Sequence, residues 1–179
     1  MGENAEKILI VYFSHTGQNY VNGSVAELKK GNTAAVAQMI SALTGAPLFE
    51  VKPKQAYPFV YRACTDAAQK ELQADARPAL AETTDTSGYD TIILGYPNWW
   101  GTMPMAMFTF LEGSDLAGKT LLPFCTHEGS GMGRSESDLK RLCPAADVRG
   151  GLAIRGSAAA QSKPAVEQWL KKNLRRGQR

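Results

Sequence analysis

The sequence predicts an α/β fold with a doubly wound parallel sheet and helices on both of its faces. Four short apolar runs are continuous rather than alternating, which is typical of strands buried on both faces of a parallel sheet. Between these runs the apolar residues change to helical spacing, so strand and helix alternate along the chain. Right-handed crossover connections then place helices on both sides of the sheet.

The predicted strands follow directly from the apolar runs. The four clear runs occupy residues 8–13, 91–95, 120–125 and 151–154, and a weaker fifth run occupies 47–51. Pro123 falls inside the run at 120–125 and has no backbone N–H to donate. We therefore expect a bulge at this proline.

The predicted helices fill the intervals between the strands. The first begins at Asn32 or Thr33, either of which can serve as its N-cap, and stops at Gly45. Further helices are expected at residues 60–76, 105–112, 135–143 and from 162 onward. Residues 18–31 fit neither pattern, and we interpret them as a functional loop or a partly ordered insertion.

Composition limits the class of protein. A chain of 179 residues, with 44% hydrophobic residues and a net charge of +3, predicts one domain over residues 1–179 with its core at about 7–175. Three scattered cysteines form neither a disulfide framework nor a metal site. Without a long apolar stretch, a secretion signal or a broad basic cluster, the expectation is a cytoplasmic monomer or weak dimer that binds neither membrane nor nucleic acid.

Three loops are the candidates for chemistry, because ligands of open parallel sheets bind beyond the carboxyl ends of the strands. These loops are residues 14–19, 96–101 and 126–133. All three are rich in glycine and hydroxyl residues, and together they hold both histidines of the chain. Turn formation explains the glycines, but it does not explain two adjacent tryptophans in a loop.

Each loop offers a different kind of contact. Ser14, Thr16 and Gly17 precede a helix and favour a phosphate, although an ordinary capped turn has the same appearance. Trp99 and Trp100 favour stacking on a planar ligand or contact with a partner, the alternative being two core side chains. The third loop offers glycine N–H groups, and we find no nucleophile beside its histidine.

A nucleotide-binding pattern at residues 113–120 is rejected. Its letters match G-x-x-x-x-G-K-[ST], but that motif acts only where it follows a strand and opens a helix. Here it follows a predicted helix and leads into a predicted strand. The sequence therefore excludes an ATPase or GTPase interpretation of this segment.

The three loops together resemble those of flavodoxins. Residues 11–17 are similar to the phosphate loop of that family, and residues 95–101 and 123–133 are similar to the flavin-ring loops of a bacterial flavodoxin-like subfamily. The resemblance extends from about residue 7 to residue 169. It implies a five-stranded parallel sheet of order 2-1-3-4-5 and one non-covalently bound FMN.

The resemblance also implies a set of FMN-binding residues. Those expected near the phosphate are Ser14, Thr16, Gly17, Asn19, Asn32 and Thr33, and His15 is expected beside the ribityl chain or the phosphate. Those expected on one side of the isoalloxazine ring are Pro97, Asn98, Trp99, Trp100 and Gly101. Those expected on the other side and at the pyrimidine edge are Thr126, His127, Gly129, Ser130, Gly131 and Gly133.

The chain departs from the flavodoxin pattern in two ways. Residues 18–31 interrupt the phosphate loop, so either Asn19 or the pair Asn32 and Thr33 completes it. The net charge of +3 also differs from the acidic surface of electron-carrier flavodoxins. Three functions stay open: electron transfer between redox partner proteins, an NAD(P)H-dependent quinone or flavin reductase, and an FMN-binding module without turnover.

Overall fold

The computed structural model describes residues 6–174, so the ends of the predicted domain, 1–5 and 175–179, lie outside the described residues. The strands are β1 (Ile8–Tyr12), β2 (Gly17–Val21), β3 (Ser24–Leu28), β4 (Leu48–Glu50), β5 (Thr91–Pro97), β6 (Thr120–His127), β7 (Asp147–Val148) and β8 (Leu152–Arg155). The helices are α1 (Asn32–Thr44), α2 (Tyr61–Gln73), α3 (Met105–Glu112), α4 (Ser135–Leu142), α5 (Lys163–Leu174) and a 3₁₀ helix at Gly156–Gln161.

The main sheet is parallel throughout and confirms the predicted fold class. Its order is β4-β1-β5-β6, and both β7 and β8 pair with the outer edge of β6. Since β7 and β8 occupy the same final position one after the other, the order corresponds to the expected 2-1-3-4-5. The carboxyl ends of β1, β5 and β6 therefore lie side by side.

Pro123 does not form the bulge that we expected. The register of β5 with β6 continues through it, with Leu94 opposite Pro123. The interruption lies on the other edge of β6, where β7 pairs with residues 120–121 and β8 starts to pair at Phe124. Thr120 N donates to Asp90 O on the β5 side, and Leu121 O accepts from Arg149 N on the other side. Because successive residues direct their backbone groups to opposite edges of a strand, the backbone nitrogen of Pro123 faces the break between β7 and β8. No N–H is needed there for strand pairing.

Helices cover both faces of the sheet because alternate residues of each strand point to opposite sides. Ile10 and Ile93 are buried under α1 and α5, whereas Leu9 and Leu94 are buried under α3 and α4. α1 ends at Gly45, which has a φ of +73° and confirms the expected stop. Its N-cap is Gly31 rather than Asn32 or Thr33, which are its first two helical residues.

Residues 18–31 contain an ordered β-hairpin, which the sequence analysis did not predict. β2 and β3 pair antiparallel, with Tyr20 opposite Val25. Asn22 and Gly23 form the two-residue turn with φ values of 50° and 88°, both positive as a type I′ turn requires. The hairpin forms a sheet separate from the main one. Within residues 6–174, no helix is long and apolar enough to cross a membrane.

Candidate functional site

A cavity of about 460 Å³ lies at the carboxyl ends of β1, β5 and β6. Its volume is within the range of small-molecule sites, roughly 300–1,000 Å³. The three predicted loops all contribute to its wall, and the β2–β3 hairpin and α2 supply further lining. The topology thus brings together three segments that are up to about a hundred residues apart in sequence.

The hairpin leaves the first loop and returns to the same place. A Cβ added at Gly31 would contact Ser14 Oγ and would lie 2.7 Å from His15 O. The first loop and the start of α1 are therefore continuous in space despite the insertion between them. Ser14 Oγ accepts the N–H of Ala34 at 3.2 Å, so a loop hydroxyl acts as a cap on the helix.

The N-terminus of α1 opens into the cavity. Asn32 and Thr33 both line it. Among residues 6–174, no group accepts the backbone N–H of either residue. Thr33 Oγ1 lies 2.7 Å from Thr126 Oγ1, which joins the helix start to the end of β6. Unsatisfied amides, an uncharged first turn and the helix dipole together favour an anion at this end.

Trp99 and Trp100 both line the cavity but have different environments. The Trp99 ring packs edge-on against Phe13, His15 and Tyr57, with centroid distances of 5.1, 5.9 and 4.9 Å. This indole is therefore held in position by three neighbouring rings. Trp100 is 47% exposed, and its Nε1 donates to Thr65 O of α2 at 2.9 Å.

The backbone at Trp100 is in the left-handed region, with a φ of +55°. Trp99 N donates to Thr102 O at 2.8 Å, and Thr102 N donates to Trp99 O at 3.3 Å, which closes a two-residue turn. Gly101, the other central residue, has a φ of +87°. Such a conformation costs a bulky residue on the order of 1–3 kcal/mol. The turn therefore holds the Trp100 indole at the rim of the cavity, although a bulky residue disfavours this left-handed backbone conformation.

Asn98 joins the second loop to the third. Its Oδ1 accepts the N–H of Gly101 at 3.0 Å, and its Nδ2 donates to Gly131 O at 2.9 Å. Nearby, Gly101 O accepts the N–H of Arg134 at 2.8 Å. A Cβ at Gly133 would contact the Gly101 carbonyl oxygen, so the two loops touch at their backbones. The two loops therefore form one braced unit.

The two histidines of the cavity are held by their own hydrogen bonds. His127 Nδ1 accepts the N–H of Gly129 at 2.9 Å, which leaves Nε2 as the donor of the neutral ring. Burial, followed by the positive charge of Arg155, lowers the pKa of His127 below its ordinary value, and Glu128 partly opposes this. His15 Nε2 donates to Pro58 O at 3.0 Å.

Most of the predicted site residues line the cavity. Those that do are Ser14, His15, Asn19, Asn32, Thr33, Pro97, Asn98, Trp99, Trp100, Gly101, Thr126, His127 and Ser130. Those that lie outside its lining are Thr16, Gly17, Gly129, Gly131 and Gly133. Two of these glycines pack closely against neighbouring segments: Gly17 is buried against the Phe59 ring, and Gly133 lies against Gly101.

Sequence analysis missed one wall of the cavity. The residues that it did not predict are Tyr20, Tyr61, Cys64, Thr65, Ala68 and Gly156, and Gln18 and Glu128 also line the site from within predicted loops. Tyr61, Cys64, Thr65 and Ala68 recur three or four residues apart on α2. This spacing gives one helix face, but only tertiary structure shows that it faces a cavity. Burial raises the pKa of the Cys64 thiol to about 11, so it is a neutral wall residue.

Comparisons with known proteins agree with this geometry. A model of the flavodoxin family matches residues 7–173. The chain belongs to the flavodoxin family. No curated protein matches it significantly.

Solved structures with the flavodoxin fold cover nearly all of this chain. A protein of Bacteroides eggerthii classed as a flavoprotein is 30% identical, with 93% of this chain and 96% of that one covered and a TM-score of 0.74. A similarly classed protein of Bacteroides uniformis is 27% identical, with 94% and 99% covered and a TM-score of 0.73. A Lactobacillus acidophilus flavoprotein in complex with FMN is 22% identical, with 92% and 99% covered and a TM-score of 0.64.

Proposed function

We propose that this flavodoxin binds FMN non-covalently in the cavity and transfers electrons through it between redox partner proteins. The observation that carries the proposal is the arrangement of the cavity, with an open helix N-terminus at one end and two indoles at the other. Family membership supports the same cofactor, as does the FMN bound by the Lactobacillus acidophilus flavoprotein.

The α1 end suits the phosphate of FMN. The free N–H groups of Asn32 and Thr33 can donate to phosphate oxygens, and Thr126, whose hydroxyl lies 2.7 Å from that of Thr33, and Ser130 also line the cavity. Ser14 Oγ already accepts from the helix, so its hydroxyl proton is free to donate outward. These donor groups are themselves uncharged, and the helix dipole attracts the dianion.

The other end suits a flat tricyclic ring. The braced loops place Trp99 and Trp100 along the wall, and His127 can donate through Nε2 toward the polar edge of a ring. When bound, FMN supplies the one- and two-electron chemistry. The contribution of the chain is to orient the ring, to exclude water from its faces and to hold a neutral imidazole where negative charge would develop.

The test is to titrate the cofactor-free full-length protein with FMN and, separately, with riboflavin. Binding is measured by calorimetry and by flavin absorbance. We expect FMN to bind about 100-fold or more tightly than riboflavin, because riboflavin lacks the phosphate that the α1 end attracts. Equal affinity for the two ligands would contradict the phosphate assignment. A protein that binds neither would contradict the proposed cofactor.

A second candidate function, an NAD(P)H-dependent quinone or flavin reductase, is favoured by the α2 wall. Tyr61 and Thr65 of α2 extend the cavity beyond the three loops, and the exposed indole of Trp100 at the rim offers a surface for a second planar molecule. Stopped-flow mixing of the FMN-loaded protein with NADPH separates the two functions. Rapid direct bleaching of the flavin supports the reductase, whereas bleaching only through a flavoprotein reductase supports electron transfer between proteins.

A further inference from the structure

Glu128 connects three segments at the α1 end of the cavity. Its Oε1 accepts the N–H of Ser157, at the start of the 3₁₀ helix, at 2.9 Å. Its Oε2 accepts the N–H of Asn22, at the tip of the β2–β3 hairpin, at 3.3 Å. The Glu128 side chain is only 15% exposed, although Asn22 and Ser157, which donate to it, lie at the surface. One carboxylate therefore ties the hairpin tip to the third loop and to the start of the 3₁₀ helix.

The hairpin is fixed at both ends but in different ways. Near its base, Gln18 N donates to Phe59 O at 2.9 Å, and Gln18 Oε1 accepts the N–H of Tyr61 at 3.0 Å. In the turn and the returning strand, residues 21–28, the hydrogen bond to Glu128 is the one that reaches another part of the described chain. The first strand of the hairpin thus lines the cavity through residues 18–20, and Glu128 secures the hairpin tip.

The contact between Glu128 and the hairpin tip lies at the α1 end of the cavity rather than at the indole end. A Cβ added at Gly156 would lie 2.5 Å from Asn32 Nδ2 and 2.8 Å from Glu128 Oε1. The side chains of Asn32 and Glu128 therefore both pack against Gly156. The first residue of α1 lies next to the carboxylate that closes the cavity.

We infer that the hairpin and Glu128 close the phosphate end of the cavity and restrict it to flavin monophosphates, excluding dinucleotides such as FAD. The inference rests on the proposed function and adds a specificity determinant to it. A dinucleotide continues beyond its first phosphate into a second phosphate and a nucleoside. In this chain that path meets Glu128, the start of the 3₁₀ helix and the hairpin tip.

The charge of Glu128 and the shape of the cavity both disfavour binding of a dinucleotide. A second phosphate would bring further negative charge to the Glu128 carboxylate, and like charges at close range oppose binding. Arg155 Nη1 lies 3.9 Å from Glu128 Oε2, but its side chain is 53% exposed and therefore offsets this charge only weakly. A single phosphate, bound on the near side at the α1 amides, does not need to pass this barrier.

The test compares Glu128→Gln with Glu27→Gln. Glutamine is isosteric, but its amide NH₂ replaces one acceptor oxygen, so the N–H groups of Asn22 and Ser157 cannot both be satisfied. Glu27 is an exposed carboxylate on β3 of the same hairpin, and it serves as the matched control for loss of one negative charge. Each variant and the wild type are titrated with FMN and with FAD.

We expect the wild type to prefer FMN over FAD by about 100-fold or more, and Glu128→Gln to reduce that ratio about tenfold, mainly through tighter FAD binding. Glu27→Gln leaves the ratio unchanged. Comparable affinity of the wild type for FMN and FAD, or an unchanged ratio in Glu128→Gln, would overturn the inference.

Hydrogen exchange in the cofactor-free protein tests the closure without any flavin. Glu128→Gln is expected to speed exchange at the amide of Asn22 or Ser157, and Glu27→Gln is not. Unchanged exchange would overturn the role of Glu128. If exchange changes as expected but no variant binds FMN, the closure stands, and the proposed function fails together with the selectivity.

Discussion

Asn98 Nδ2 lies 2.9 Å from the carbonyl oxygen of Gly131, and this hydrogen bond joins the second loop to the third. The same side chain accepts from Gly101 N at 3.0 Å, so both of its polar atoms are used within the protein. Although Asn98 was expected to contact the flavin, this geometry favours a bracing role. Its removal should therefore affect the free energy of unfolding as well as ligand binding.

We predict that Asn98→Ala lowers the free energy of unfolding by about 2 kcal/mol, because it leaves Gly101 N and Gly131 O without their partners. Urea denaturation of the cofactor-free protein provides the measurement. Gln55→Ala removes an exposed amide and should change the same quantity by less than about 0.5 kcal/mol. Equal effects of the two substitutions would contradict the bracing role.

Gly131 and Gly133 provide a matched pair for the contact between the loops. Their φ values are +60° and +55°, so alanine introduces similar backbone strain, about 1 kcal/mol, at either position. A Cβ at Gly131 meets open space, whereas one at Gly133 contacts the Gly101 carbonyl oxygen and lies 3.1 Å from Asn98 Nδ2. We predict that Gly133→Ala weakens FMN binding about tenfold more than Gly131→Ala does. Calorimetric titration measures the difference, and equal affinities would argue against close packing of the two loops.

Trp100 should matter more for binding than for folding. Trp100→Gly removes the hydrogen bond to Thr65 O, but it also relieves a φ of +55°. Because these two effects oppose each other, the free energy of unfolding should change by less than about 1 kcal/mol. FMN affinity should fall about tenfold or more with the loss of the indole. Trp100→Phe retains a ring and should keep most of the affinity; a loss equal to that of glycine would contradict a stacking role.

His127 should make stability depend on pH. Its pKa is lowered in the folded protein from the ordinary value of 6.5, mainly by burial, so the unfolded chain binds more protons on acidification. The free energy of unfolding should therefore fall as the pH decreases through the ordinary pKa toward the folded pKa. His127→Asn, which can still accept from Gly129 N, should lack this component. Urea denaturation between about pH 5 and pH 8 compares the two proteins, and parallel pH profiles would contradict the prediction.

The three cysteines should react slowly with alkylating reagents. Burial raises the pKa of Cys64 and Cys143 to about 11 and that of Cys125 to about 12, so little thiolate forms near neutral pH. We expect slow labelling by iodoacetamide in the native protein, as followed by mass spectrometry, and fast labelling in denaturant. Cys64 lines the cavity, so bound FMN should slow its labelling further without affecting Cys143. Rapid native labelling of Cys64 would contradict its burial.

The parts of the fold that the sequence predicted are those with a repeating local signal. The strands around Ile10, Ile93 and Leu122 are buried on both faces, and their continuous apolar runs show it directly. The three site loops could be predicted because the carboxyl ends of parallel strands share one edge. The strand order and the cofactor came from the resemblance to flavodoxins rather than from the residues alone.

The parts that the sequence did not predict have weaker or non-local causes. The hairpin carries an Asn22-Gly23 turn signal, but its strands mix polar and apolar residues and gave no clear alternation. Tyr61 and Thr65 line the cavity only because α2 packs beside Trp100, and no local pattern encodes that approach. Pro123 was compatible with either a bulge or an edge facing a break, and only the pairing of β7 and β8 decides between them.

The return of the chain at Gly31 to the place where it left, beside Ser14 and His15, makes the inserted segment separable from the main sheet. A related protein without the segment could join the first loop directly to α1 without displacing the scaffold, although the hydrogen bonds of Gln18 and Asn22 to other parts of the chain would be lost. Ligand preference at this rim can therefore evolve by insertion, deletion or replacement of the segment between the first loop and α1, while the central sheet stays unchanged.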